Sequence, residues 1–214
     1  MKKFLSLLLV GLMLLSLCGC FGDQDVRGEV EGGNDPEFSL GTAKSGTYKN
    51  DFLGISCTLP SGWTFYSDKE IRELNNLTMD MLDEDIAERL EKANIIYDMF
   101  ATCQTTGSNM NVVLEKLSTA QTIKLDIKAT LEAQFDTLKS SYESMGYTNI
   151  SVKYQKVKVD GKEFDGLRLT AKIQGIDFYT TMFAFKKSNY LANVTICSLQ
   201  TDQTGTVLGY FTVE

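Results

Sequence analysis

The chain has 214 residues, 43% of them hydrophobic and 23% charged, with a formal charge of −7 and no histidine. That composition is globular, not disordered. The missing histidine excludes imidazole acid–base work and the Ser-His-Asp and Cys-His arrangements, and the negative balance excludes nucleic acid, which needs clustered Lys and Arg.

In chain order, Met1-Lys2-Lys3 is a basic start and Phe4 to Leu17 is an almost unbroken apolar run. The run is too short for a stable membrane span and ends in small residues, so residues 1–19 read as a cleaved signal. Leu17-Cys18-Gly19-Cys20 resembles the bacterial lipobox, in which the final Cys is lipidated and becomes the new N-terminus. Cys20 fits that role, with Gly19 before it; Cys18 does not, because Leu17 would stand immediately before the cleaved bond. Residues 1–19 hold two lysines and no acid, which leaves 19 bases against 28 acids in the remainder, a charge of −9. Such a domain has no basic patch for anionic lipid, so attachment falls to the acyl chains.

Residues 20–47 read as the lipidated Cys and a flexible acidic, Gly-rich linker, about 28 Å end to end as a coil. Gly41 to Thr47 has the Gly-x-x-x-x-Gly spacing of a phosphate loop, but Thr47 stands where Lys is required and no apolar strand precedes it. No nucleotide site is expected there.

One α+β domain spans residues 48–214. Leu53, Ile55, Cys57 and Leu59 alternate with polar residues as a half-buried strand, and Pro60-Ser61-Gly62 ends it. Trp63 and Phe65 follow at alternate positions. Ser67 and Glu70 form a capping box that opens a short helix. A second helix is predicted from Asp80 to Ala93 on the stripe Leu82, Ile86, Leu90. Its acids Asp80, Asp83, Glu84 and Asp85 favour the helix dipole; they lack the Gly that a calcium loop needs at its sixth position.

Ile95–Thr102 and Asn111–Leu117 read as strands. The longest helix is predicted over Ile127–Met145, with Asp126 as N-cap and Gly146 as stop. Four strands follow: Ile150–Val159, turned at Asp160-Gly161; Leu167–Ile173, turned at Gln174-Gly175; Ile176–Phe185; and Tyr190–Leu199. Asp202–Phe211 reads as a last helix weakened by Thr and Gly. The fold class is therefore α+β, a mainly antiparallel sheet flanked by helices.

Cys57, Cys103 and Cys197 are scattered, odd in number and without paired spacing. They read as three buried free thiols, with one disulfide plus a free thiol as the alternative outside the cell, and no metal site is expected. A redox role would need a partly exposed thiol beside a basic side chain. Trp63 and Tyr66 are the candidate binding surface, although a Trp in this position more often covers the edge of a core, and packing is the preferred reading of Trp63. Tyr66, Tyr97, Tyr154, Tyr179 and Tyr190 read as packing, as aromatics in strands usually are; the alternative is an aromatic face for sugar or peptide.

Tyr48 to Trp63, Phe65 to Ile71 and Val159 to Leu167 resemble small lipoproteins of Gram-positive bacteria. These look related in fold to the PsbP-like proteins of photosynthetic membranes and to a Ran-binding nuclear-transport protein. The resemblance covers roughly Tyr48 to the C-terminus. It implies a PsbP-like α/β/α sandwich around an antiparallel sheet and action by binding protein partners. It carries no catalytic residue across.

The expectation is a membrane-anchored extracytoplasmic lipoprotein, held by lipid at Cys20, with no catalytic residues and no cofactor. It would act by contacting an envelope protein, peptide or glycan. The alternative is a carboxylate-based hydrolase acting on cell-wall or environmental glycan, with two acids facing each other across a groove.

Overall fold

The computed structural model describes residues 37–79 and 95–214. The signal, Cys20 and the helix predicted over Asp80–Ala93, with its acidic first turns, lie outside the described residues.

Seven strands build the large antiparallel sheet: β4 (Trp63–Phe65), β5 (Ile95–Cys103), β6 (Ser108–Lys116), β7 (Tyr147–Val159), β8 (Lys162–Ile173), β9 (Ile176–Lys187) and β10 (Tyr190–Leu199). Their order is β4-β5-β6-β10-β9-β8-β7. The predicted four-stranded meander is the β7–β10 half. At Asp160-Gly161 both residues have positive φ, 48° and 80°, the geometry whose twist matches that of the flanking strands. A smaller sheet, in the order β1-β2-β3-β11, joins β1 (Thr42–Lys44), β2 (Thr47–Asn50), β3 (Ile55–Thr58) and β11 (Phe211–Val213).

Both faces of the large sheet are covered. The small sheet packs on one: Tyr48, Ile55, Cys57 and Phe211 share a core with Met110, Val112, Val194, Ile196 and Phe183. Helices cover the other. Among the described residues they are α1 (Asp68–Met79), α2 (Thr119–Lys124), α3 (Ile127–Ala133) and α4 (Phe135–Ser144). Leu131, Leu138, Tyr142 and Met145 pack there on Tyr147, Leu167, Leu169 and Phe178. A fifth helix, α5 (Thr204–Leu208), lies on β9 and β10 from the small-sheet side through Val207. This is the expected α+β fold with a mainly antiparallel sheet between helix-bearing layers.

The predicted caps are present. Ser67 N–H donates to Glu70 Oε2 at 2.7 Å, while Glu70 N–H donates to Ser67 Oγ at 3.4 Å. Asp126 Oδ1 accepts from Ala129 N–H at 3.0 Å.

Three boundaries differ from the sequence reading. The helix predicted over 127–145 is two helices. At Gln134 the backbone N–H reaches Leu131 O at 3.1 Å, three residues back, and this tighter turn breaks the regular ladder. The tail forms helix only over Thr204–Leu208. Phe211–Val213 then alternates and pairs with β3, Phe211 opposite Cys57, because burying Phe211 between the sheets outweighs a Gly-interrupted helix.

The third difference is the linker. Residues 37–47, expected to be flexible coil, are part of the fold. Phe38 stacks on Tyr190 at 4.4 Å, and β1 pairs with β2 through Thr42–Lys49, Ala43–Tyr48 and Lys44–Thr47. A single aromatic and backbone pairing supply what apolar periodicity does not.

This N-terminal stretch is fastened at Asp98, which sits in the β-bulge of β5 between Tyr97 and Met99. Its Oδ1 accepts from Gly41 N–H at 2.7 Å, and its Oδ2 accepts from Asn50 Nδ2 at 2.7 Å and from the Tyr48 hydroxyl. Asn50 Oδ1 in turn accepts from Leu53 N–H at 2.7 Å. Burial, with the Asp98 charge adding to it, pushes the Tyr48 phenol well above its ordinary range, so it stays a donor. Only glycine fits at position 41, because a Cβ there would run into the Tyr48 ring. Asp98→Ala strips the partner from buried Tyr48 and Asn50. It is expected to destabilise the domain by about 2–4 kcal/mol, and Tyr48→Phe by about 1–2, measured by urea denaturation.

Candidate functional site

Strand β6 alternates. Met110, Val112 and Leu114 enter the core under the small sheet. Asn109, Asn111, Val113 and Glu115 therefore face the helix layer, since successive side chains point to opposite faces. In β10, Ala192, Val194 and Ile196 face the small sheet, so Asn193, Thr195 and Cys197 join the helix side.

The register aligns these residues into three rows. Thr102, Asn109, Cys197 and Thr180 lie side by side across β5, β6, β10 and β9. Phe100, Asn111, Thr195 and Met182 form the next row. Tyr97, Val113, Asn193 and Ala184 form the third. A polar band thus crosses the middle of the sheet, with the aliphatic and aromatic packing of α3 and α4 over β7–β9 on one side and Phe100, Tyr66 and Ile71 on the other.

The asparagines in this band are shut off from solvent: Asn109 and Asn193 are 0% exposed and Asn111 is 2% exposed. In each, both Nδ2 and Oδ1 lack a hydrogen-bond partner. A buried unpaired amide costs about 1–3 kcal/mol, so three close together are a standing cost the fold bears. Glu115, further along β6 on the same face, already has an interaction of its own. Neutral amides supply neither a nucleophile nor a titrating proton. They hydrogen-bond and orient, so the chemistry this band can perform is binding.

The three thiols are free and buried, as read from the sequence. Burial pushes Cys57 and Cys197 up to about 12. Cys197 lies 3.0 Å from Thr180 Oγ1 and Cys57 3.8 Å from Met110 Sδ. Cys103 differs: burial pushes its thiol up, but hydrogen bonds from Thr105 and Thr106 overcome that and hold it below its ordinary value.

Trp63 and Tyr66 stand on opposite faces of the large sheet. Trp63 is half-buried against the inter-sheet core, with Tyr210 edge-on at 6.0 Å. Tyr66 packs edge-on to Phe100 at 4.6 Å in the helix-side core. They share no surface. The five tyrosines are likewise dispersed: Tyr190 lies under Phe38 and Phe52, Tyr179 lies 5.3 Å from the Arg168 guanidinium, Tyr154 donates to Asp165 at 2.5 Å, and Tyr97 joins Tyr66 on the helix side. The amide band itself was missed in the sequence. Its signal was there: asparagine, which strands disfavour, recurs at period two inside an otherwise apolar strand.

No protein-family model matches the chain, and no curated protein matches it in sequence. Among solved structures it is similar to LpqN of Mycobacterium tuberculosis, described as involved in cell envelope biogenesis. That likeness covers 72% of this chain and 75% of the other, at 11% identity and a TM-score of 0.39.

Replacing one unpaired amide by an apolar side chain of similar volume tests what the band is for. Asn111→Leu is expected to leave stability unchanged or raise it by about 1–2 kcal/mol in urea denaturation. Leu114→Ala, three positions on in the same strand and facing the inter-sheet core, is expected to cost about 2–5. Native-state alkylation at pH 8 is expected to modify Cys103 well before Cys57 or Cys197, read by peptide mass mapping.

Proposed function

We propose that this protein is a lipid-anchored module on the outer face of the cell membrane that works by binding, not by catalysis. The anchoring half of the proposal rests on Leu17-Cys18-Gly19-Cys20 at the end of the apolar run. Among the described residues no helix is long and apolar enough to cross a membrane, which is compatible with attachment by lipid at Cys20. The PsbP-like sandwich of small Gram-positive lipoproteins is the fold family we infer, from the strand and turn motifs of the sequence and the two-faced antiparallel sheet.

The binding half rests on one observation, the three buried asparagines whose donors and acceptors are unspent. A fold that bears this cost in its central strands gains by having the groups met by something else. The hydrolase reading has no comparable support. Asp98, Asp165 and Asp202, three of the described carboxylates, are occupied by Tyr48 and Asn50, by Tyr154 and Lys156, and by Arg168 and Thr204.

Two measurements test the two halves separately. Cys20→Ser is expected to abolish incorporation of a clickable palmitate analogue and to move the protein out of the membrane pellet; full retention in the pellet without label overturns the anchor. Native mass spectrometry of the full chain, released from its own membranes in mild detergent, is expected to show a bound small molecule that Asn193→Leu loses. A bare chain in every preparation counts against binding.

A further inference from the structure

The geometry points to an uncharged ligand that presents secondary amides to Asn109, Asn111 and Asn193; this rests on the binding reading above and gives it a chemical class. The first argument is charge. No charged side chain stands in the rows of β5, β6, β10 and β9 that hold the asparagines. The nearest charged groups in the sheet on this face are Glu115 and Lys186, level with Leu191, and Asp165 on β8, which stands beside Ala184 in the row of Asn193 and is occupied by Lys156 and Tyr154. Lys186 Nζ is spent on Thr122 O at 3.2 Å, and Glu115 has its own partner. An ion brought against the asparagines would lose its hydration with no opposite charge to meet it, at a cost far above that of a neutral group.

The second argument is complementarity. Each asparagine offers two donors and an acceptor in one plane. A hydroxyl matches a secondary amide in count, one hydrogen and two lone pairs, but it swivels about its C–O bond and holds neither in a fixed direction. A secondary amide carries one N–H and one strongly accepting C=O rigidly opposed, and meets an asparagine on either side of it. Asn109 and Asn111 are two residues apart on one strand, about 6.5–7 Å. Asn193 lies diagonally across from Asn111, since it pairs with Val113 while Asn111 pairs with Thr195. Three receptors at that spacing suit a ligand with more than one amide. Two sources carry this group: N-acetylated amino sugars and short stretches of polypeptide.

The third argument concerns access. All three amides are closed to solvent in this state, so binding includes a step in which the cover parts. Association is then expected to fall below about 10⁵ per molar per second.

The test uses the full chain in mild detergent with three probes: tri-N-acetylchitotriose, acetyl-trialanine-amide and, as the hydroxyl-only control, maltotriose. Calorimetric titration is expected to show one amide probe binding at least about tenfold more tightly than maltotriose. Which one binds identifies the source. Asn193→Leu is expected to weaken that probe by about tenfold or more while the melting temperature holds or rises by about 2–8 °C. Should that variant fold poorly, the wild-type protein labelled with ¹⁵N at asparagine gives the same answer. The side-chain NH₂ signals of Asn109, Asn111 and Asn193 shift on adding the bound probe.

Equal affinity for maltotriose overturns the amide class. So does silence toward all three probes while native mass spectrometry still finds a retained molecule, and that outcome leaves the binding reading standing. Ordered waters pairing every amide, with no probe bound and nothing retained, overturn both.

Discussion

One carboxylate holds the two sheets in register. Asp98 sits in the bulge of β5, and the extra residue there puts two successive side chains, Asp98 and Met99, on the small-sheet side. There Asp98 collects a backbone N–H from Gly41, an amide from Asn50 and a phenol from Tyr48. Asn50 passes the constraint on to Leu53, at the turn into β3. The inter-sheet core of Tyr48, Phe52, Leu53 and Ile55 lies directly against this point. Apolar burial supplies the bulk of the energy, but it is non-directional. The hydrogen bonds at Asp98 decide where on the large sheet the small one sits.

The polar locks elsewhere follow the same logic. Arg168 on β8 reaches across the small-sheet face to Thr181, Thr204 and Asp202, and Asp202 caps Thr204. That clamps α5 to the sheet and delivers the chain to β11. On the far edge, Lys156 and Tyr154 share Asp165. In each case a buried or half-buried polar group has its partners. Against that background the amide band stands out, because the same molecule that pairs Asn50 through both ends of its side chain leaves Asn109, Asn111 and Asn193 unpaired.

Much of the fold was legible from residue patterns. Ser67 and Glu70 marked a helix start and Asp160-Gly161 a hairpin, because each works through groups a few residues apart. The α+β class followed from consecutive two-residue alternation. What could not be read depends on partners distant in the chain. β11 exists because Phe211 meets Cys57, more than 150 residues earlier. β1 exists because Asp98 and Tyr190 receive Gly41 and Phe38. The site was hidden for a related reason. Asn at alternate positions of a strand normally signals a face turned to water. Only a sheet covered on both sides turns that pattern into a buried polar band, and nothing within a single strand shows which of its two faces the covers close.

The docking of residues 38–44 also sets how the domain bears mechanical load. Tension arriving through residue 37 meets the Phe38–Tyr190 stack first, then the Gly41–Asp98 contact, then the open end of the β1–β2 hairpin at Thr42–Lys49. Because β1 is an edge strand pulled from that open end, its pairs peel apart one after another and never share the strain. The outermost strand would act as a fuse, giving way in small steps while the seven-stranded sheet behind it keeps its shape.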